Sequence, residues 1–330
     1  MNRLIGLVVV MIMVLSSSCK KDKLPSNDEI PDPPVPEWQL FSTANSKLPD
    51  NQVNCIVISK DNVKWIGTSK GLVKIVDNIW SVFTSENSSL PSSFVQALAV
   101  EPNGSVWVGT DKGLVKYNGT VWNVYTSSNS VLPENPIMSL THDSKFGRTW
   151  VGTSKGLVKI DNANNWKLHD ETSDELLLSL ATDQQGNLWA GVFNHFQFQG
   201  RIRKLEQDTW TSYKLNDAGY TSTFPYSLAV DKNNVVVALL TGTSVSAVVR
   251  LNAGVFEEIP KPKDAFGLKT LLLDEDKVWV GGKNLSLFGN AASPVIQIPG
   301  IDSQILALAQ DKTGSKWIGM LGAGLAVYRN

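Results

Sequence analysis

The chain is poor in the residues that build metal centres, disulfide frameworks and many catalytic sites. Its 330 residues include only three histidines and two cysteines, and charged residues make up 18% of the total. Two cysteines cannot form a network of disulfides, and no HxH or HExxH motif occurs. The formal net charge of -1 argues against the concentrated basic surface that nucleic-acid binding requires. We therefore expect no metal, no cofactor, no set of catalytic residues and no nucleic-acid partner.

Long apolar runs are also scarce, and the most prominent one lies at the N-terminus. Residues 4–15 are apolar but too few to span a bilayer as a helix, so the run is typical of a cleaved secretory signal. Three serines then lead into Cys19, and this ending resembles the lipobox of bacterial lipoproteins, although Leu15 stands four residues before the cysteine instead of three. The sequence predicts a lipoprotein signal peptide over residues 1–18 with the lipid attached to Cys19. An ordinary secretory signal is the alternative.

Residues 19–36 have the composition of a tether, because they hold five prolines and almost no apolar side chain to bury. An extended polyproline segment advances roughly 3.1 Å per residue, so this one would span on the order of 50 Å. Acyl chains on Cys19 would hold the protein to a membrane surface. The residues after Cys19 loosely resemble export signals of Bacteroidota surface lipoproteins. We expect a protein of the bacterial cell envelope, lipid-anchored to a membrane, favouring the outer one, on its periplasmic or its exposed side.

The rest of the chain repeats one phrase. WIGTSKGLVKI at 65–75 returns as WVGTDKGLVKY at 107–117 and as WVGTSKGLVKI at 150–160. Each unit holds four short apolar segments separated by turn residues, and a period near 40–45 with four strands per unit is typical of β-propeller blades. The equivalent strand recurs about every 42 residues, at Trp65, Trp107, Trp150, Trp189, Val236, Trp279 and Trp317. These units predict a propeller over residues 37–330.

The seventh unit lacks a fourth strand of its own. Its third segment, GLAVYRN, is the last in the sequence, whereas EWQLFST at 37–43 matches the fourth segments IWSVFTS at 79–85 and VWNVYTS at 121–127. We therefore predict an all-β, seven-bladed propeller closed by an N-terminal strand that completes the last blade. Such closure would satisfy the open edges of the sheet and lock the first and last blades together.

These repeats resemble those of the two-component-regulator propeller family. The phrase LWVGT..GL..Y, followed by W..Y/FT..NS.LP, carries the resemblance, which is strongest in units one to three and weakest in unit five. Members are periplasmic sensor domains of hybrid histidine kinases, so the resemblance implies the fold and a surface suited to binding. No membrane helix, kinase or DNA-binding module follows the repeats, and the sensors commonly carry two propellers. We therefore do not expect this chain to signal by itself as they do.

Two loops on one face of the predicted ring carry an unusual number of aromatic residues. The loop after Trp189 in unit four is longer than its equivalents, and the connection into unit five lies on the same face. Flat rings with a few polar groups suit sugars or peptides. The alternative is that they fill a gap left by the degenerate unit five. We predict a ligand site formed by Phe193, His195, Phe196, Phe198, Arg201, Tyr220, Phe224 and Tyr226.

The sequence therefore favours a cell-envelope binding or interaction module whose ligand is a glycan or an envelope protein. One alternative is a lyase or hydrolase that uses the same face, because the repeats are similar to those of streptogramin lyase, another seven-bladed propeller. That resemblance implies a His and a Glu with a metal near the axis, and only His195 has a suitable position, with no clear partner. A further alternative is a non-catalytic scaffold subunit of an envelope complex. We expect binding in preference to catalysis.

Overall fold

Seven antiparallel sheets of four strands each are arranged as the blades of a ring. The structure, a computed structural model, describes residues 37–194, 196–242 and 246–329. The predicted signal peptide and tether, with Cys19, lie outside the described residues. Within the described ranges the regular elements are β-strands and two 3₁₀ turns, Asp170–Thr172 and Asn216–Ala218. The predicted all-β, seven-bladed propeller is confirmed.

Within a blade the strands follow one another in chain order from the axis outward. Blade 1 consists of β2 (Val53–Ile58), β3 (Lys64–Thr68), β4 (Gly71–Val76) and β5 (Ile79–Phe83). Blade 2 consists of β6 (Val95–Val100), β7 (Val106–Thr110), β8 (Gly113–Tyr117) and β9 (Trp122–Tyr125). Blade 3 consists of β10 (Ser139–Asp143), β11 (Arg148–Thr153), β12 (Gly156–Ile160) and β13 (Trp166–His169). Blade 4 consists of β14 (Glu175–Thr182), β15 (Leu188–Asn194), β16 (Gln199–Glu206) and β17 (Thr209–Lys214).

The remaining blades have the same order, apart from the last. Blade 5 consists of β18 (Thr223–Val230), β19 (Val236–Gly242), β20 (Ser246–Asn252) and β21 (Val255–Glu258). Blade 6 consists of β22 (Thr270–Asp274), β23 (Lys277–Gly281), β24 (Leu285–Phe288) and β25 (Val295–Ile296). Blade 7 consists of β26 (Ile305–Gln310), β27 (Lys316–Met320), β28 (Leu325–Tyr328) and β1 (Trp38–Phe41). First strands of adjacent blades contact one another around the whole ring.

The hydrophobic core lies between the blades. All five residues of β7 are buried, because both faces of this strand pack against neighbouring sheets. Within a blade, the tryptophan of the second strand packs on an aromatic ring of the fourth strand, as Trp107 does on Tyr125 with ring centroids 6.0 Å apart. The same Trp107 lies in one apolar cluster with Val151 and Val158 of blade 3. The repeated phrase therefore supplies both the interior of one blade and its contact with the next.

Two glycines of the repeated phrase occupy positions that do not tolerate a side chain. A Cβ atom on Gly109 would lie 2.7 Å from Cγ2 of Ile137, which belongs to the segment entering blade 3. Gly113, which begins the third strand, has φ of 144°, a backbone conformation that other residues resist. The first glycine allows the blades to approach, and the second allows the tight turn between β7 and β8.

The ring closes as predicted, through the first described strand. β1 pairs antiparallel with β28, so that Trp38 lies opposite Tyr328 and Phe41 opposite Leu325. An isolated bridge between Gln52 and Leu321 adds a second link between blade 7 and blade 1. Within the part of the chain that the structure describes, no helix has the length and apolar character needed to cross a membrane.

Candidate functional site

The first strands enclose a cavity of about 610 Å³ at the face of the ring where they begin. We call this cavity the mouth. Every blade contributes to its lining the residue at one and the same position, at the start of the first strand. These seven mouth residues are Asn54, Gln96, Met138, Leu178, Tyr226, Lys269 and Leu306.

A break in strand pairing places the mouth residues on the axis. In five blades the register between the first and second strands shifts at this position, as between Val53 and Cys55 in blade 1 and between Val95 and Ala97 in blade 2. In blades 3 and 6 the equivalent residue directly precedes the first strand. A bulged residue is left out of the ladder, so its side chain is released from the strand's in-and-out alternation. The mouth residue is followed by a small residue in every blade: Cys55, Ala97, Ser139, Ser179, Ser227, Thr270 and Ala307.

The mouth combines one positive charge with apolar surface. Lys269 extends over the ring of Tyr226, with its Nζ 4.9 Å from the ring centroid. No carboxylate is among the lining residues, and Lys269 makes no ion pair within the described ranges. Met138 and Leu178 supply adjacent apolar side chains from blades 3 and 4. This environment favours a ligand that carries negative charge beside an apolar group.

Three amide side chains at the mouth, those of Gln52, Asn54 and Gln304, are held in place by hydrogen bonds. Gln52 Nε2 donates to Asn54 Oδ1 at 3.0 Å, and Asn54 Nδ2 donates to the Val95 carbonyl at 2.9 Å. Gln304 Nε2 donates to the Gly267 carbonyl at 2.6 Å. Gln52 and Gln304 each use one amide N–H in these bonds and keep a second N–H, and their side-chain oxygens are acceptors that a ligand can use. They suit the N–H or O–H groups of a ligand.

Four of the predicted site residues lie together beside the mouth. The ring of Phe193 is 5.2 Å from that of Phe224 and 6.5 Å from that of Phe198, measured between centroids. Phe224 stands two residues before the mouth residue Tyr226 on the same strand. Phe196 lies at the tip of the same β15–β16 hairpin, where the side chains of Phe196 and Phe198 are 77% and 74% exposed. These aromatic residues therefore form a rim at the seam of blades 4 and 5.

The other predicted site residues have partners elsewhere. The Tyr220 ring packs on Phe256, 6.5 Å between centroids, and its hydroxyl donates to Glu258 Oε2 at 3.3 Å. Burial, followed by the Glu258 carboxylate, raises the pKa of Tyr220. Arg201 lies 3.8 Å from Glu175 Oε1. The remaining predicted residue, His195, is outside the described residues.

Neither described histidine reaches the mouth. His142 Nδ1 lies 3.0 Å from Thr149 Oγ1, and His169 Nδ1 lies 3.1 Å from Glu171 Oε1. Burial is the main cause of a lowered pKa at both imidazoles, so both favour the neutral form. Within residues 37–194, 196–242 and 246–329, no three His, Cys, Asp or Glu residues are grouped so as to hold a metal ion.

The pattern G-x-S-x-G occurs twice, as GTSKG at 67–71 and 152–156, and both copies are turns between second and third strands. Blade 2 has Asp111 at the equivalent of these serines. The backbone N–H of Ser154 donates to Glu134 Oε1 at 2.6 Å. A hydrolase nucleophile elbow instead joins a strand to a helix and has a histidine partner. These serines therefore have the surroundings of turn residues.

The sequence-based prediction included Tyr226 but missed the other six mouth residues. The signal was available in the repeats. Most framework positions are alike from blade to blade, whereas the residue before the small residue of the first strand is an amide, an amine, a phenol or an aliphatic group in turn. Positions that vary inside an otherwise regular repeat mark the surface on which the blades differ chemically.

Comparisons with known proteins agree with the fold. The family model of the two component regulator propeller matches residues 89–112, which confirms the resemblance over part of one connection and blade 2. The extracellular domain of a hybrid two component system from B. thetaiotaomicron is similar, with 17% identity and a TM-score of 0.69. That match covers 89% of this chain but 42% of the other, so this chain spans less than half of that domain.

Two single-propeller structures are also similar. A streptogramin B lyase has 13% identity and a TM-score of 0.72, over 88% of this chain and 97% of its own. YCF48 bound to D1 peptide has 14% identity and a TM-score of 0.66, over 90% of this chain and 98% of its own. No curated protein sequence matches this chain. At these identities the likeness establishes the propeller fold.

Proposed function

We propose that this chain is a binding module of the bacterial cell envelope that holds a ligand at the mouth and against the adjoining aromatic rim. The observation that carries the proposal is the mouth itself, where seven equivalent positions, one from each blade, converge on one cavity with side chains of differing chemistry. The N-terminal sequence supports the envelope, and so does the similarity to an extracellular sensor domain. Cys19 would supply the lipid anchor.

An acidic peptide segment is the ligand that the mouth fits best. Lys269 supplies a positive charge, while Met138, Leu178 and Leu306 supply apolar contacts that a sugar would leave unused. Of the two aromatic rings in the lining, Phe94 and Tyr226, the second has Lys269 over it, which reduces its use for stacking a sugar. Gln52 and Gln304 offer acceptors for peptide N–H groups. YCF48, a propeller of the same fold, has been solved with a peptide bound.

Parallel binding screens test this assignment. The propeller, residues 37–330, is applied to an array of acidic, neutral and basic peptides and to a glycan array. We expect acidic peptides to be captured, with affinity falling as salt rises. The variant Lys269→Gln should bind at least roughly tenfold more weakly, since a charge-assisted hydrogen bond is lost.

A matched control separates the mouth from general charge effects. Lys60→Gln removes an exposed lysine from a turn on the opposite face and should leave peptide capture unchanged. Equal capture by Lys269→Gln and by the unchanged protein would contradict binding at the mouth. Capture of glycans alone would replace the peptide with a sugar, and substrate turnover abolished by His195→Ala would favour a lyase or hydrolase. Capture of a protein partner with an affinity that substitutions at the mouth do not change would favour the scaffold alternative.

A further inference from the structure

A second cleft, of about 400 Å³, lies between blades 3 and 4 on the face opposite the mouth. Its walls are the β10–β11 turn of blade 3 and the β14–β15 and β16–β17 turns of blade 4. We call it the blade 3–4 cleft. Its lining includes Lys145, Arg148, Trp150, Lys159, Glu206 and Asp208.

In three blades the tryptophan of the second strand has a carboxylate acceptor for its indole N–H. Trp107 Nε1 donates to Glu101 Oε1 at 2.7 Å, and Trp317 Nε1 donates to Asp311 Oδ2 at 2.9 Å. Trp189 does the same with Asp183, at 3.1 Å. In each case the carboxylate belongs to the turn between the first and second strands, six residues before the tryptophan. The indole N–H of this position is therefore directed at that turn.

Blade 3 departs from this arrangement because its turn is one residue longer. Asp143, the carboxylate of that turn, accepts from Arg148 instead, through Nε at 2.9 Å and Nη2 at 2.6 Å. Trp150 is 2% exposed, and its Nε1 has no acceptor among the described residues. Trp279 also lacks a well-aligned acceptor, but it lies near Asp274 of its own turn and does not line the blade 3–4 cleft. At Trp150 the turn that should supply the acceptor is a wall of the blade 3–4 cleft.

The positive charges of the cleft exceed its available negative ones. Lys159 is half-buried opposite Trp150 in the strand pairing and makes no ion pair within the described part of the chain. The two carboxylates on the wall have lysine partners of their own: Glu206 pairs with Lys204 at 2.8 Å, and Asp208 pairs with Lys167 at 3.4 Å. The cleft therefore offers a buried neutral donor beside the Lys159 ammonium group, which has no direct ion pair although Asp208 lies near enough to feel its charge.

We propose that the blade 3–4 cleft binds an oxyanion carried on a molecule of about the size of a monosaccharide. One oxygen of a carboxylate, sulfate or phosphate accepts the Trp150 N–H, and Lys159 and Lys145 neutralise its charge. A buried donor without an acceptor is costly in the free protein, so a ligand that satisfies it gains affinity. The cleft volume exceeds what a bare inorganic anion fills, which favours an acidic sugar over the free ion. This site is independent of the mouth and of its proposed ligand.

The indole N–H signals of the ¹⁵N-labelled protein report on this site directly. The fragment 37–330 is suitable, because the described strands of the closed ring all lie within it. Trp150→Phe identifies the Trp150 signal by its loss. Glucuronate, inorganic sulfate and inorganic phosphate are then titrated separately, with glucose as the uncharged control. We expect glucuronate to move the Trp150 signal downfield in a saturable manner and glucose to leave it in place.

Three lysine variants keep the test decisive if Trp150→Phe unfolds. Lys159→Gln should weaken glucuronate binding roughly ten- to hundredfold, as expected for loss of a charged hydrogen-bond partner, whereas Lys60→Gln and Lys269→Gln should not. A stronger response to sulfate or phosphate than to glucuronate would support the oxyanion and exclude the sugar. A Trp150 signal that ignores all three anions would overturn the proposal and assign the acceptor to a buried water. Equal binding by Lys159→Gln would overturn it too.

Discussion

The indole of Trp38 and the phenol of Tyr328 contact each other across the closure of the ring, with their centroids 4.7 Å apart. One belongs to the first described strand and the other to the last. On the next blade, the ring of Phe41 lies 5.2 Å from that of Trp80. β1 therefore joins blade 7 to blade 1 through side chains as well as through its backbone pairing.

Removing the indole of Trp38, which helps to close the propeller, should destabilise the whole domain. Because Trp38 is half-buried, Trp38→Ala should lower the free energy of unfolding by about 2–3 kcal/mol, at or below the lower end for fully buried tryptophans. Urea unfolding followed by tryptophan fluorescence measures the change. The control is Ile79→Ala on the outer strand of blade 1, where the side chain is 71% exposed and the loss should stay within about 0.5 kcal/mol. Equal losses would show that closure does not limit stability.

A methyl group added at Gly109 should push blades 2 and 3 apart. The added Cβ would meet Ile137 at 2.7 Å, and overpacking of this kind costs about 1–3 kcal/mol. Ile137→Ala alone should also destabilise, through the cavity that it leaves. In a double-mutant cycle the combined loss should be smaller than the sum of the two, by at least about 0.5 kcal/mol, because Ile137→Ala removes the closest methyl. Additive losses would contradict the contact.

Acidification should weaken the fold before the carboxylates titrate. Burial lowers the pKa of His169 below its usual 6.5, against the opposing effect of Glu171, and burial also lowers the pKa of His142. The unfolded chain takes up these protons more readily, so stability is complete above pH 6.5 and falls as the pH drops below it. His169→Phe, which restores the aromatic ring found at Phe83, should reduce the loss of thermal stability between pH 7 and pH 5. An unchanged loss would assign it to other groups.

The stability of the fold should decline a second time at lower pH, because Glu171 becomes protonated there. Burial raises the pKa of this carboxyl, but its own backbone N–H, His169 and Trp210 together lower it to about 2. The unfolded value is 4.5, so the stability contributed by the carboxylate is present above pH 4.5 and is lost as the pH falls toward 2. Glu171→Gln should flatten the stability profile in that window and steepen the loss between pH 7 and pH 5, because Glu171 opposes the lowering of the His169 pKa. Thermal unfolding at closely spaced pH values distinguishes the two steps.

The thiol of Cys55 should be unreactive in the folded protein. Burial raises the pKa of Cys55 to about 12, against a smaller lowering by the Gly67 backbone N–H, so almost no thiolate is present at pH 8. Iodoacetamide should label the fragment 37–330 about a thousandfold more slowly when folded than in urea. Mass spectrometry at timed intervals gives both rates. Similar rates would show that the first strand of blade 1 opens readily.

Phe198 combines an exposed ring with a backbone conformation that suits glycine or asparagine, since its φ is 51°. Phe198→Asn should therefore maintain or raise the free energy of unfolding, by up to roughly 1 kcal/mol. If the rim takes part in binding, the same variant should bind acidic peptides more weakly. A clear loss of stability would instead indicate that the ring packs the seam of blades 4 and 5.

The sequence was sufficient for the architecture because the repeats report it directly. The spacing of Trp65 and its equivalents gave the blades, and the match between residues 37–43 and the fourth segments gave the closing strand. The mouth was missed because a bulge changes the side chain's direction without changing the apolar character of the strand. In Val53–Ile58 the residues around Asn54 resemble any buried strand, and only pairing with β3 shows the shift.

The blade 3–4 cleft could not be predicted from the sequence, for a different reason. One extra residue in the turn after Asp143 moves a carboxylate from Trp150 to Arg148. A single insertion in a surface turn has no counterpart in hydrophobic periodicity. Its consequence becomes visible only when the hydrogen bonds of equivalent blades are compared.

The backbone N–H of Arg329 donates to the carbonyl of Glu37 at 2.8 Å, so the first and last described residues of the ring are neighbours. A short peptide linker could join them, and new termini could then be opened in any connection between blades. Each such circular permutant would keep all seven sheets, with blade 7 made from one continuous stretch of chain. The position of the chain ends within blade 7 is therefore not required by the closed ring of seven sheets.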